Sequence, residues 1–158
     1  MVSFRGTMDS SIKNWIVDFL FPKTTIWKGK NESIAVHSGF YDAYSRVADQ
    51  VRSNVSALVA AYPTYSIGVT GHSLGAALAT LAAVDLVEES IVPRSKMTVY
   101  HFGSPRVGND GFASFYKDLV PHTFRLVNER DIVPSLPPQF LKFHHVATEV
   151  WEHQANYK

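Results

Sequence analysis

Residues 65–83, "YSIGVTGHSLGAALATLAA", join a β-rich stretch to a helix of small residues, and the pentapeptide GHSLG at 71–75 lies at the junction. The pattern Gly-x-Ser-x-Gly is typical of a sharp strand-to-helix turn, in which both glycines leave room for the backbone. Such a turn presents a serine hydroxyl at its tip, so Ser73 is predicted to be a nucleophile. An ordinary glycine-rich turn is the competing interpretation, and the strand before Ser73 and the helix after it argue against that interpretation.

Strands and helices alternate on both sides of this turn. The predicted strands cover 2–5, 33–37, 65–71, 97–103 and 123–129, and the predicted helices cover about five turns from Phe40, residues 74–89 and residues around 112–119. The stretch 131–145 contains three prolines and is expected to be mostly loop, while 145–153 alternates weakly like a strand. This order predicts an α/β fold with a mostly parallel sheet flanked by helices.

Composition narrows the functional classes. A chain of 158 residues that is 46% hydrophobic is expected to form a single domain. Fifteen Lys and Arg balance fourteen Asp and Glu without a basic run, which makes nucleic acid a poor partner. Cysteine is absent and metal-type histidine spacing is missing, so neither a metal nor another cofactor is expected. Neither a signal peptide nor an 18-residue apolar span is apparent in this chain, and its location is left open.

Two backbone N–H groups are candidates for an oxyanion hole. The helix that follows Ser73 offers its first amides, and the N–H of Leu74 is placed to face a tetrahedral intermediate. A second donor is expected at an earlier strand-to-loop junction. Thr7 follows the predicted strand 2–5 and is the candidate there; the alternative is that Thr7 caps the following helix.

Asp131 is the candidate triad acid. It follows the predicted strand 123–129, and active sites of parallel α/β sheets gather at the carboxyl ends of strands. Its role would be to orient the imidazole of a histidine and stabilise the imidazolium. The alternative is that Asp131 initiates a turn before Pro134. Asp85, which lies within the helix after Ser73, is a weaker candidate.

Seven motifs carry a resemblance to a known family. They occur in family order over nearly the whole chain: "VSFRGT", "NWIVDF", "VHSGF", "YPTYSIGVTGHSLGAALA", "FGSPRVGN", "RLVNERDIVPSLPP" and "FHHVATEVW". Together they resemble the central part of a class 3 (fungal-type) triacylglycerol lipase, an α/β-hydrolase, although GHSLGA replaces the commoner GHSLGG. The resemblance implies a serine ester hydrolase that acts on acylglycerols, with Ser73 as nucleophile, Asp131 as triad acid and an oxyanion hole of Thr7 and Leu74. Family members are often secreted.

The segment 8–21 is a candidate lid helix. Its apolar residues, which include Trp15 and Phe19, have helical spacing, and the resemblance matches this segment to the family's lid. A lid would open at a lipid–water interface, so a lipid or ester substrate is the expected partner. The alternative is a helix that packs permanently on the body of the domain.

The triad histidine is where the chain departs from the family pattern. In the family it lies tens of residues beyond the motif seen here at 149–151, so we expect the chain to be truncated at both ends and the histidine to lie outside it. His145 and His153 follow Asp131 and are alternatives, since they would keep the order Ser, Asp, His. Two other functions stay open: a compact esterase that uses one of these histidines, and a catalytically silent relative that binds lipid or a partner. Exposed sheet edges also predict self-association.

Overall fold

The computed structural model describes residues 1–7, 22–26, 33–129 and 131–152. Its elements are the strands β1 (Val2–Phe4), β2 (Lys23–Thr25), β3 (Ala35–His37), β4 (Ile67–His72), β5 (Met97–Phe102), β6 (Thr123–Asn128) and β7 (Glu149–Glu152), and the helices α1 (Ser38–Ala61), α2 (Leu74–Glu88) and α3 (Asp110–Leu119). The alternation predicted from the sequence is confirmed. The predicted lid at 8–21, with Trp15, and the alternative base His153 lie outside the described residues.

The main sheet has five strands in the order β1-β4-β5-β6-β7, and every neighbouring pair is parallel. The predicted parallel sheet is therefore confirmed. One row of the register runs across all five strands and joins Phe4, Gly71, His101, Arg125 and Glu149. Because the strands share one direction, their carboxyl ends meet at a single edge of the sheet.

The short strands β2 and β3 form a separate antiparallel pair. Strand β2 was not among the predicted strands, since three residues are too few to show the alternation by which a strand is identified. Strand β3 leads directly into α1, where His37 is the N-cap and its Nδ1 accepts a hydrogen bond from the Phe40 N–H at 3.3 Å. Helix α1 ends at Ala61, two residues before Pro63, which cannot continue a helix.

Helix α2 is buried along most of its length and contacts β4, β5 and α1. Five alanines on it are fully inaccessible to solvent: Ala76, Ala77, Ala79, Ala82 and Ala83. Small side chains allow this helix to lie close to the sheet on one side and to α1 on the other. Helix α3 also contacts α2, so the three described helices belong to one layer.

The opposite face of the sheet carries exposed aromatic side chains. Tyr100, Phe102 and Phe124 point to this face and are 46%, 44% and 36% exposed. The rings of Tyr100 and Phe124 stack across β5 and β6 with centroids 5.4 Å apart. In the described parts of the chain, no helix is long and apolar enough to cross a membrane.

The proline-rich stretch after β6 is mostly loop, as predicted. It contains two single-turn 3₁₀ helices, Val133–Ser135 and Gln139–Leu141, and then leads to β7 at the edge of the sheet. The weak strand predicted at 145–153 therefore exists over a shorter range. This stretch brings Asp131 and His145 to the same end of the sheet as the turn at Ser73.

Candidate active site

Ser73 is the single residue between the end of β4 and the start of α2. Its backbone has φ 54° and ψ −123°, a region that residues other than glycine rarely occupy. The Ser73 N–H donates to the Phe102 carbonyl at 3.0 Å, and the Ser73 carbonyl accepts from the Ala76 N–H at 3.0 Å. Strand β5 and helix α2 thus hold the strained conformation from both sides. This is the sharp turn that the GHSLG pattern predicts.

The two glycines of the pattern are required by close backbone contacts. A Cβ added to Gly71 would overlap the carbonyl group of Gly75. A Cβ added to Gly75 would overlap the carbonyl oxygen of Phe4 on β1. Any side chain at either position would therefore push the first turn of α2 away from the sheet and move Ser73.

The Ser73 hydroxyl is enclosed by the protein. Ser73 is fully buried, and its Oγ has no hydrogen-bond partner among the described residues. A buried hydroxyl without a partner is uncommon, because such groups are normally paired with protein atoms or water. The described fold thus positions the Ser73 hydroxyl without giving it a hydrogen-bond partner.

The backbone after β1 passes next to Ser73. A Cβ added to Gly6 would lie 2.5 Å from the His72 carbonyl oxygen and 3.6 Å from the Ser73 Cβ. Thr7 follows Gly6 directly, so the structure brings the start of this loop and Ser73 together. Leu74 is the first residue of α2, and its N–H is one of the helix amides that lack an intrahelical acceptor.

Asp131 lies beyond the end of β6 and is held by its own loop. Its N–H donates to the Asn128 carbonyl at 3.0 Å, and its Oδ1 accepts from the Val133 N–H at 2.9 Å. The other oxygen, Oδ2, faces Gly103, where an added Cβ would overlap it. Gly103 has φ 55°, a conformation that favours glycine, and a Cβ at this position would displace the Asp131 carboxylate.

Residues 102 and 103 connect the two candidate groups. The carbonyl of Phe102 accepts from the Ser73 N–H, and the next residue, Gly103, contacts the Asp131 carboxylate. The nucleophile and acid candidates therefore meet at the end of one strand, β5, although they are distant in sequence. The sequence predicts both residues but not this strand as the link between them.

His72 shares a cavity of about 250 Å³ with Asp131, Phe102 and Gly103. Its Nε2 would lie 3.4 Å from a Cβ on Gly103, on the side where the Asp131 carboxylate lies. The sequence alone does not connect His72 with Asp131, because the two residues are far apart along the chain. The signal for it is the strand register, since His72 pairs with Phe102 immediately before Gly103.

The His145 ring is hydrogen-bonded to the loop after Asp131 and not to Ser73. Its Nε2 lies 2.8 Å from the Pro134 carbonyl oxygen, and because a carbonyl can only accept, this nitrogen carries the proton. Burial, helped by the nearby Arg125 charge, lowers the pKa of His145 to about 3. The ring is therefore neutral near pH 7 with its Nε2 occupied, which does not suit a general base acting through that nitrogen.

A row of polar side chains lies under the helix layer. His101 is fully buried and its Nε2 is 3.2 Å from the Thr80 Oγ1. Burial, together with the charge of Arg125, lowers the pKa of His101 to about 3. Arg125 in turn donates from Nη2 to the Glu149 Oε2 at 2.6 Å. The sequence assigns His101 no role, and the structure places it in the core. The described residues contain no group of three potential metal ligands.

A strained serine between a parallel strand and a helix, with an aspartate beyond a later strand of the same sheet, is the arrangement of α/β-hydrolases. Residues 1–141 match the model of the lipase (class 3) family, and the chain belongs to this family. The predicted family and fold are thereby confirmed.

Individual relatives agree with this assignment. The chain is 41% identical over 152 residues to a lipase of Rhizomucor miehei, covering 95% of this chain and 40% of that protein. It is 38% identical over 151 residues to secreted mono- and diacylglycerol lipase 1 of Fusarium solani, covering 96% of this chain and 43% of that protein. The chain thus spans less than half the length of these two relatives.

Solved structures of such lipases superpose well on this chain. The Rhizomucor miehei lipase in complex with its propeptide gives a TM-score of 0.86 at 41% identity, over 94% of this chain and 47% of that one. A triacylglycerol lipase whose catalytic centre is described as a serine protease triad gives a TM-score of 0.84 at 40% identity, over 90% of this chain and 54% of that one.

Proposed function

We propose that this polypeptide carries the nucleophile, the triad acid and the oxyanion hole of a serine ester hydrolase that acts on acylglycerols. The observation that supports this most strongly is Ser73, a strained residue with a buried hydroxyl that has no partner among the described residues. The relatives support the substrate class, because they are named as lipases and as a mono- and diacylglycerol lipase.

In the proposed reaction, Ser73 Oγ attacks the ester carbonyl carbon while a histidine accepts its proton. The carbonyl oxygen becomes an oxyanion, which the backbone N–H groups of Leu74 and Thr7 stabilise. Asp131 stabilises the imidazolium and holds its tautomer. The imidazolium then protonates the leaving alcohol as the ester C–O bond breaks, which leaves an acyl group on Ser73. Water, deprotonated by the same histidine, releases the fatty acid.

The histidine is proposed to come from the part of the family that follows the Glu-x-Trp motif at 149–151. The engagement of the His145 Nε2 by the Pro134 carbonyl supports this choice over His145 itself. We further propose that 1–158 forms one partial α/β-hydrolase domain, and that the segment 8–21, with Trp15, acts as a lid over the site.

Fluorophosphonate labelling of the folded protein, read by intact mass, tests the nucleophile. In a protein that includes the proposed histidine-bearing segment, we expect one adduct per chain that is absent from Ser73→Ala and slowed by Asp131→Asn. Labelling that persists in Ser73→Ala would refute the assignment of the nucleophile. Labelling of residues 1–158 that disappears in His145→Gln as well as in His145→Ala would make His145 the base and the chain a compact esterase, because glutamine keeps the hydrogen-bond donor but cannot accept a proton.

A folded chain of residues 1–158 that is not labelled would mean that the base lies outside these residues, either because they are part of a longer lipase or because the chain is a catalytically silent relative that binds lipid. The exposed aromatic face, with Tyr100 and Phe124, is the observation that favours this second function. Cosedimentation with phosphatidylcholine vesicles that contain diacylglycerol measures it directly. In that case, serine substitution of both aromatic residues should abolish cosedimentation, whereas Ser73→Ala should not affect it.

A further inference from the structure

The proline-rich segment after the triad-acid candidate is anchored by hydrogen bonds from outside it. Four consecutive carbonyls, those of residues 134–137, each accept from a group elsewhere in the chain. Arg106 supplies three of these bonds. Its N–H donates to the Leu136 carbonyl at 2.7 Å, and its Nη1 donates to the carbonyls of Ser135 at 2.6 Å and Pro137 at 2.8 Å.

His145 supplies the fourth bond, from its Nε2 to the Pro134 carbonyl at 2.8 Å. This segment needs external donors because Pro134, Pro137 and Pro138 have no N–H groups and cannot build a regular ladder. Both Pro134 and Pro137 are buried, where an unpaired carbonyl would be costly. Arg106 and His145 therefore satisfy carbonyl groups for which this segment has too few N–H groups of its own.

The anchored carbonyls are connected to Asp131 through one turn of 3₁₀ helix, Val133–Ser135. The first residue of this turn, Val133, donates its N–H to the Asp131 Oδ1. A shift of the Pro134 or Ser135 peptide would move the Val133 amide and with it the carboxylate. The opposite oxygen is limited by Gly103, so the carboxylate has a narrow range of allowed positions.

We propose that Arg106 and His145 are positioning residues, which together hold the 131–137 loop so that the Asp131 carboxylate faces the Ser73 turn. This rests on the proposed function only in taking Asp131 as the triad acid. Neither residue touches the reacting atoms. His145, the alternative base, thus acts as a neutral hydrogen-bond donor to this loop.

The ring nitrogen that His145 uses allows a sharp test by substitution. A glutamine amide can reach the position of Nε2, whereas an asparagine amide reaches only the position of Nδ1. His145→Gln should keep the bond to Pro134, and His145→Asn should lose it. In the same way, Arg106→Lys keeps the backbone N–H bond, but the lysine side chain is one bond shorter and draws its nitrogen back from the Ser135 and Pro137 carbonyls that Nη1 reaches.

The primary readout is the Val133 amide, followed by ¹H–¹⁵N NMR on the full chain. In His145→Asn and Arg106→Lys we expect Val133 hydrogen exchange at least about tenfold faster than in the wild type, because its bond to a charged acceptor is weakened. His145→Gln should stay within about twofold of the wild type, by the same reasoning. Arg94→Met is a matched control, since Arg94 donates to the Asp118 carbonyl, away from this loop.

Equal behaviour of His145→Gln and His145→Asn at Val133 would overturn the assignment to His145. Wild-type exchange in Arg106→Lys would overturn the assignment to Arg106, and this variant also serves if His145→Asn does not fold. Fluorophosphonate labelling of Ser73 should slow by about 100-fold in the two disrupting variants, as expected when a catalytic group is misplaced. If the wild type is not labelled even with the histidine-bearing segment present, the proposed function fails, while the Val133 measurement still shows whether Arg106 and His145 hold the loop.

Discussion

Gly103→Ala should destabilise the protein through the side chain of Asp131. Two effects are expected, and they differ in origin. The backbone of Gly103, with φ 55°, disfavours alanine by about 1 to 2 kcal/mol. The added Cβ would also overlap the Asp131 Oδ2, and forced overpacking of this kind costs about 1 to 3 kcal/mol. The substitution should therefore lower the free energy of unfolding by about 2 to 5 kcal/mol in total.

A double-mutant cycle separates the two effects. Urea unfolding, followed by circular dichroism, is measured for the wild type, Gly103→Ala, Asp131→Ala and the double variant. In the Asp131→Ala background the overlap is gone, so Gly103→Ala should cost only about 1 to 2 kcal/mol there. The coupling free energy should be about 1 to 3 kcal/mol. An equal cost of Gly103→Ala in both backgrounds would refute the inferred contact between Gly103 and the carboxylate.

Three further predictions concern the rest of the fold. Asp85→Asn should lower the free energy of unfolding, measured by urea titration, by about 2 to 3 kcal/mol, because the Asp85 carboxylate makes two hydrogen bonds with Arg52. The loss is moderate since the Arg52 side chain is 38% exposed and keeps part of its hydration. A change below about 0.5 kcal/mol would contradict this prediction. The pKa of His101 is lowered to about 3 in the folded state. Between about pH 6.5 and pH 3 this histidine is therefore protonated only in the unfolded state, and the free energy of unfolding decreases as the pH is lowered. His101→Asn should reduce that dependence by about 1.4 kcal/mol per pH unit between about pH 6 and pH 4, and an unchanged slope would argue against a neutral buried ring. Self-association through the sheet edges should appear as concentration-dependent sedimentation, and Val150→Lys on the edge strand β7 should weaken it. Association that is unchanged in Val150→Lys would show that β7 is not the edge through which the chains associate.

The turn at Ser73 can be predicted from sequence because its determinants are local. A β-rich run, the GHSLG pattern and a helix of small residues follow one another without interruption. The requirement for glycine at 71 and 75 comes from backbone that is close in sequence or on the adjacent strand. The alternation of strands and helices, and the parallel sheet, can be predicted for the same reason, since periodicity and connection length are properties of short segments.

Contacts between distant segments could not be predicted in this way. The amphipathic pattern of α1 identifies its buried face, but only packing against α2 brings Tyr44 within 2.6 Å of Asp85. Similarly, His101 and Arg125 lie on different strands, and only the register of β5 and β6 places them in one row.

The sequence by itself thus determined the fold class, the strained serine and the position of Asp131 after a strand. The tertiary structure decided that Gly103 faces the Asp131 carboxylate and that Arg106 and His145 bind the loop that carries it. The physical reason is that these contacts join loops at the ends of different strands. Loop hydrogen bonds have no periodic pattern in the sequence, and their partners are fixed only when the sheet brings the strand ends together.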